Sequence, residues 1–128
     1  MKVKLQKKHT QYENKRKLST FNFQPDKRLA VVILNWNGRA LMEEFLPSVV
    51  ACTPGEWADV IVADNGSTDD SIEMLKTKFP TVGIIRLDKN YGFAEGYNQA
   101  LKHIGHEYTV LLNSDVEVTP GWLDAPIA

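Results

Sequence analysis

Cysteine is nearly absent. Cys52 is the single one in 128 residues, so no disulfide can form within the chain and a bridge-stapled scaffold is excluded. The repeated Cys and His spacings of a structural zinc site are missing as well. Long apolar runs are also lacking: Leu29 to Leu34 is among the longest and falls far short of the ~20 residues that span a bilayer. Lysines follow Met1, but no apolar segment and no small-residue cleavage site come after them, so no secretory leader is expected. These absences together point to a cytoplasmic chain. Glycine-rich phosphate cradles are absent too. Only Gly38 follows the first apolar run, where a dinucleotide site needs G-x-G-x-x-G, and no G-x-x-x-x-G-K-[ST] loop occurs. Neither Ser67 nor Ser114 sits in a G-x-S-x-G elbow, which disfavours a serine hydrolase.

What is present is the composition of one globular domain, 43% hydrophobic and 24% charged. A chain of this size buries roughly two thirds of the surface it exposes when unfolded, enough for one core. Charge is unevenly spread. Residues 1 to 28 carry Lys2, Lys4, Lys7, Lys8, Lys15, Arg16, Lys17, Lys27 and Arg28 against Glu13 and Asp26, although the net charge of the whole chain is -1. That segment has few apolar residues with which to offset its ordering entropy, so residues 1–28 read as a basic, flexible arm outside the core. A solvated tail is the plainer reading. Contact with an anionic surface at the inner face of a membrane is the partner this charge favours, and no nucleic-acid partner is expected.

From residue 29 to 128 the texture changes to β-branched runs alternating with helical patterns. Leu29-Ala30-Val31-Val32-Ile33-Leu34 is the near-continuous apolar run of a strand covered on both faces. A helical stretch follows from Arg39 to Cys52, with Pro47 expected to kink it or start a second segment. The second strand is Asp59 to Ala63. Ser67 and Asp70 then stand at the spacing of a capping-box variant, and Ile72, Leu75 and Phe79 mark one face of a helix that ends before Pro80. Val82 to Leu87 forms a third strand. Phe93, Tyr97, Ala100, Leu101 and Ile104 line one stripe of the next helix, with Gly105 placed to end it. Tyr108 to Leu112 is a fourth strand. Strand–helix alternation implies an α/β fold with a mostly parallel sheet, whose ligands collect outside the carboxyl ends of the strands.

Those ends read Asn35-Trp36-Asn37, Asp64-Asn65, Asp88 to Gly92, and Asn113 to Glu117. Acidic and amide side chains dominate, without a Lys or Arg cluster. Carboxylates there suit a hard divalent cation, Mg²⁺ or Mn²⁺, that in turn neutralises a diphosphate. Asp115 is the leading ligand, and Glu117 joins it only if the segment stays extended; a turn-closing role for Asp115 is the alternative. Asp64 either accepts from a base or ribose donor or starts an Asx-turn. Asn90 either meets a ligand or takes a left-handed turn position before Gly92. Trp36 either stacks on a base or packs under its loop. His103 and His106, three apart, read as surface residues at a helix C-terminus rather than metal ligands.

Four segments in order, Val31 to Gly38, Val60 to Asp69, Asn90 to Asn98 and Leu111 to Asp115, resemble the family 2 glycosyltransferases of GT-A fold, nearest to their rhamnosyltransferase-type branch. The resemblance covers about residues 29 to 124. It implies a Rossmann-like nucleotide-diphosphate-sugar domain taking a UDP- or dTDP-linked donor. Asn35, Trp36, Asn37 and Asp64 would lie near base and ribose, Asn90 and Gly92 would border the nucleoside, and Asp115 would be the metal-binding acid of a D-x-D motif. Asn113 stands where that motif has its first Asp, which leaves the site one negative charge short. The implied reaction is inverting transfer to a saccharide or lipid-linked acceptor in polysaccharide synthesis. Its carboxylate base is expected beyond Ala128, so the chain reads as the donor-binding half of a longer enzyme. Two other classes compete: a non-catalytic interaction module docking through its basic arm, and a nucleotidyltransferase, which would need a glycine- and basic-rich loop that Asn35 to Arg39 does not supply.

Overall fold

The computed structural model describes residues 3–7, 20–21 and 28–124. Four parallel strands form the centre: β3 (Leu29–Asn35), β4 (Ala58–Asp64), β5 (Gly83–Arg86) and β6 (Tyr108–Leu112). Helices α1 (Arg39–Cys52), α2 (Ser71–Lys78) and α3 (Phe93–Leu101) connect them in turn. Antiparallel strands β1 (Val3–Lys7) and β2 (Thr20–Phe21) close the two edges, so the order is β1-β6-β3-β4-β5-β2. The chain steps outward from β3 to β5 and then returns through α3 to the other side of β3. This reversal puts a topological switch point between the carboxyl ends of β3 and β6, where such sheets hold ligands.

Side-chain parity explains the packing, because successive strand residues point to opposite faces. On one face Leu29, Val31 and Ile33 meet Met42, Leu46 and Val49 of α1 and Met74 and Leu75 of α2. On the other, Ala30, Val32, Ile61 and Ala63 meet Tyr97 and Ala100 of α3 together with Ile104. Burial on both faces is why β3 reads as an unbroken apolar run.

Several expectations change. Residues 3–7 and 20–21 are not outside the sheet. The open edges of β6 and β5 offer unpaired N–H and C=O groups, and Val3-Lys4-Leu5-Gln6-Lys7 has the two-residue alternation a strand needs, which a charge count does not register. Arg28 is tied down as well, its Nε donating to Glu107 Oε1 at 3.1 Å and its carbonyl accepting from Tyr108 N–H at 2.9 Å, and the rest of the expected arm lies outside the described residues. Pro47 does not divide α1, which runs through it; its ring sits on the exposed side, where water can satisfy the carbonyl one turn back. No capping box closes α2. Asp69 instead accepts from the Ser71 backbone N–H at 3.0 Å and from its hydroxyl. Nor does Gly105 end α3: the helix stops at Leu101 and tightens through Lys102 N–H to Gln99 O and His103 N–H to Ala100 O. Phe93 leaves the predicted core stripe and is 65% exposed. His106 is not a surface residue, because the chain turns inward after α3 and buries its Nε2 2.8 Å from Asp59 Oδ2.

Candidate functional site

The ends of β3 and β4 are locked together. Their last register pair is Asn35 and Asp64, which are only 1% and 3% exposed. Asn35 Nδ2 donates to Asp64 Oδ1 at 3.0 Å and to Ser67 Oγ at 3.2 Å, while its Oδ1 accepts from Gly38 N–H at 3.0 Å. Asp64 also accepts from Ser67 Oγ–H at 2.7 Å and from Ser67 N–H at 2.9 Å. Asn37, in the left-handed region at φ 50°, accepts from the N–H groups of Thr68 and Asp69 at 2.7 and 3.1 Å, and its own N–H donates to Ser67 Oγ at 2.8 Å. Asp69 closes the cluster by accepting from Arg39 N–H at 3.3 Å. Burial pushes the Asp69 carboxyl up, but the Ser71 hydroxyl and the Ser71 and Arg39 N–H groups outweigh it and hold the pKa below the usual aspartate value.

A cavity of about 390 Å³ opens beside this lock, over the switch point. Leu34, Trp36 and Leu41 wall it from the β3 side, and Asn113, Ser114 and Asp115 from the end of β6. Asn65, Asn90, Gly92, Phe93 and Tyr97 complete the lining. No Lys or Arg is among these residues. Trp36, Leu41 and Phe93 are exposed at 53%, 42% and 65%, so the cavity is edged by apolar side chains.

Of the residues expected from the sequence, the cavity gathers Trp36, Asn90, Gly92, Asn113 and Asp115. It does not gather Asn35, Asn37 or Asp64. Asp64 thus does not share the lining of this cavity with Asp115, and parity supplies the reason. Asp64 follows Val62 and Asn35 follows Ile33 on the α1–α2 face, whereas Leu34 and Asn65 follow Val32 and Ala63 on the α3 face, where the cavity lies. Glu117 does not line it either, since β6 ends at Leu112 and a turn at Ser114-Asp115 breaks the extended backbone.

Sequence reasoning missed Asn65. Its side chain is the hub of the β5–α3 loop, with Nδ2 donating to Gly92 O at 3.0 Å and Asn90 Oδ1 at 3.3 Å, and Oδ1 accepting from Tyr91 N–H at 3.0 Å. Asn90 Oδ1 in turn accepts from Gly92 N–H at 2.7 Å. The left-handed position in this loop belongs to Gly92, at φ 83°, and not to Asn90. Gly96 is required one helical turn later, because a Cβ there would stand 2.8 Å from Asn65 Nδ2 and 3.0 Å from Leu34. Alternation counted from Ala63 would have found Asn65.

For a cation the donor set is small. Asp115 offers an exposed carboxylate and Asn113 an amide oxygen, and among the described residues no group of three His, Cys, Asp or Glu side chains gathers. That set fits an ion such as Mg²⁺ or Mn²⁺ shared with a phosphate ligand, which keeps several waters and needs only one or two protein carboxylates.

Residues 30–125 match the family model for glycosyl transferase family 2. The chain is 27% identical over 108 residues to the N-acetylglucosaminyl-diphospho-decaprenol L-rhamnosyltransferase of Mycobacterium tuberculosis, covering 76% of this chain and 35% of that one. It is 33% identical over 92 residues to the uncharacterized glycosyltransferase YfnE of Bacillus subtilis, covering 70% and 23%. The chain thus spans about a third or less of the length of these relatives. The fold is shared with S. aureus TarS 1-349 in complex with UDP-GlcNAc, at TM-score 0.68 and 22% identity over 78% of this chain and 30% of that one. It is shared too with the mannosyltransferase PcManGT of Pyrobaculum calidifontis in complex with GDP-Man and Mn²⁺, at TM-score 0.62 and 25% identity over 73% and 29%. This is the GT-A architecture the sequence implied. On its family pattern and its fold alike, the chain belongs to glycosyl transferase family 2.

Proposed function

We propose that the cavity binds a nucleotide-diphosphate sugar, UDP- or dTDP-linked, as donor for inverting transfer to a saccharide or lipid-linked acceptor in cell-surface glycan synthesis. One observation carries this reading: Asp115 opens on the same cavity as the amides of Asn65, Asn90 and Asn113, beneath an aromatic rim and without a basic residue. The nucleoside lies against Trp36, Asn65 and Asn90, whose amide groups offer both donors and acceptors to a base. The diphosphate lies toward Asn113, Ser114 and Asp115. Asp115, with help from the Asn113 amide oxygen, would hold a Mg²⁺ or Mn²⁺, which when bound would supply positive charge to the diphosphate. Asn35, Asn37 and Asp64 hold the wall of the cavity and keep its shape. The base that deprotonates the acceptor hydroxyl belongs to the length of the relatives that this chain does not match. The lipid-linked substrate named for the mycobacterial relative supports work at the inner face of a membrane, where the basic residues 1–28 add electrostatic contact. No helix among the described residues is long and apolar enough to cross a membrane.

The test is titration calorimetry of the full chain with UDP and with dTDP, in Mn²⁺ and in EDTA. Binding of either nucleotide that weakens at least tenfold in EDTA and in Asp115→Ala is the expected result. Equal affinity with and without the carboxylate would overturn it.

A further inference from the structure

The two walls of the cavity belong to strands that part company. β3 stays in register with β4 as far as Asn35 and Asp64, but its pairing with β6 ends at Ile33 and Leu112. Beyond that rung β3 leads to Trp36 and β6 leads to Asn113-Ser114-Asp115, so the point of separation sets how far apart the walls stand. One side chain touches both strands there. Tyr97, on α3 and only 6% exposed, donates its hydroxyl to Leu112 O at 3.0 Å and accepts from Leu34 N–H at 3.4 Å. The ring itself is part of the cavity lining, and Phe93 meets it edge to face with centroids 5.2 Å apart.

We infer that the Tyr97 hydroxyl is a positioning group that pins the last rung between β3 and β6 and thereby sets the placement of the Asn113–Asp115 turn against the Trp36 wall. The inference rests on the cavity being the donor site. Asp115 leaves the sheet only three residues after Leu112, so a shift in that carbonyl reaches the carboxylate with little chain in between to absorb it. The hydroxyl is suited to the task because burial pushes its pKa above the usual 10.0, so it remains a proton donor across the working pH range. Nothing in the ring's packing requires the oxygen. Phenylalanine at this position fills the same space and removes only the brace.

Wild-type chain and Tyr97→Phe are compared by amide hydrogen exchange and by calorimetry with UDP plus Mn²⁺ and with uridine alone. The expected result is exchange at least fivefold faster at residues 113–116, unchanged exchange at Val31 and Val62, a roughly tenfold loss of UDP affinity and less than a twofold change for uridine. Exchange that rises equally throughout β3, β4 and β6 indicates a merely structural hydroxyl and overturns the inference, as does a folded variant with wild-type exchange and affinity. If wild-type chain fails to bind UDP, the donor-site reading falls and the exchange pattern alone decides the brace. Should Tyr97→Phe fail to fold, Tyr97→p-aminophenylalanine decides: it keeps a donor toward Leu112 O, so wild-type exchange at residues 113–116 supports the brace, and fast exchange in a folded variant overturns it.

Discussion

Two acidic residues at strand ends, Asp64 after β4 and Asp115 after β6, look alike in the sequence and are spent differently in the structure. Asp64 is buried and takes three donors from Asn35 and Ser67, so its charge holds two loops together. Asp115 is exposed on the cavity, where its charge is available to a ligand. A carboxylate at the end of a strand is thus either tied into the protein or left open on a cavity, and the face on which its strand position falls separates the two. Asn35 and Asn65 repeat the contrast with amides: Asn35 joins the lock, while Asn65 faces the cavity and holds the loop that lines it.

The sharpest break is between the two carboxylates. Asp64→Ala removes the acceptor of the two Ser67 donors and one of the two acceptors of Asn35 Nδ2, and we expect it to cost about 3 kcal/mol of unfolding free energy by urea denaturation. Asp115→Ala, at an exposed site, should change the same measurement by less than about 0.5 kcal/mol while abolishing the Mn²⁺ dependence of nucleotide binding. Comparable stability losses in the two variants would remove the distinction. Asn65→Ala should fall between them. It frees Tyr91 N–H and Gly92 O, costs about 1–2 kcal/mol, and weakens nucleotide binding through the loosened Asn90–Gly92 loop; unchanged affinity in calorimetry would deny Asn65 its place in the site.

The smallest effect concerns pH. The folded-state pKa of Asp69 lies below its unfolded value of about 3.9, so the ionised form is the one folding favours. Its contribution is full above the unfolded pKa and is lost as pH falls through the lower folded value. Asp69→Asn should therefore shrink the difference between urea midpoints at pH 6 and pH 3 relative to wild type. An unaltered difference would show that the loop lock draws nothing from this charge.

Much of the architecture was legible. The unbroken apolar run from Leu29 to Leu34 read as a strand covered on both faces and is β3, and the spacing of Ile72, Leu75 and Phe79 read as a helix ending before Pro80, which α2 is, with Phe79 just past its last turn. That Trp36, Asn90, Gly92, Asn113 and Asp115 would come together was legible because a parallel sheet carries strand ends to one edge, and they line one cavity. The same rule also named Asn35, Asn37 and Asp64, which do not line this cavity, because it selects an edge but not a face. His106 was misread because its partner Asp59 is distant in the chain and no local pattern links the two. Pro47 does not start a second segment, because its missing N–H falls on the exposed side, where water can stand in.

Local chemistry alone determined that this chain alternates strands with helices, and that its polar residues gather where the strands finish. Which of those residues bond to one another and which remain open to a ligand depended on the pairing of β3 with β6 and on α3, which covers one side of the sheet. Hydrogen bonds at the strand ends run between segments about thirty residues apart, and a partner's direction is known only once register and face are fixed.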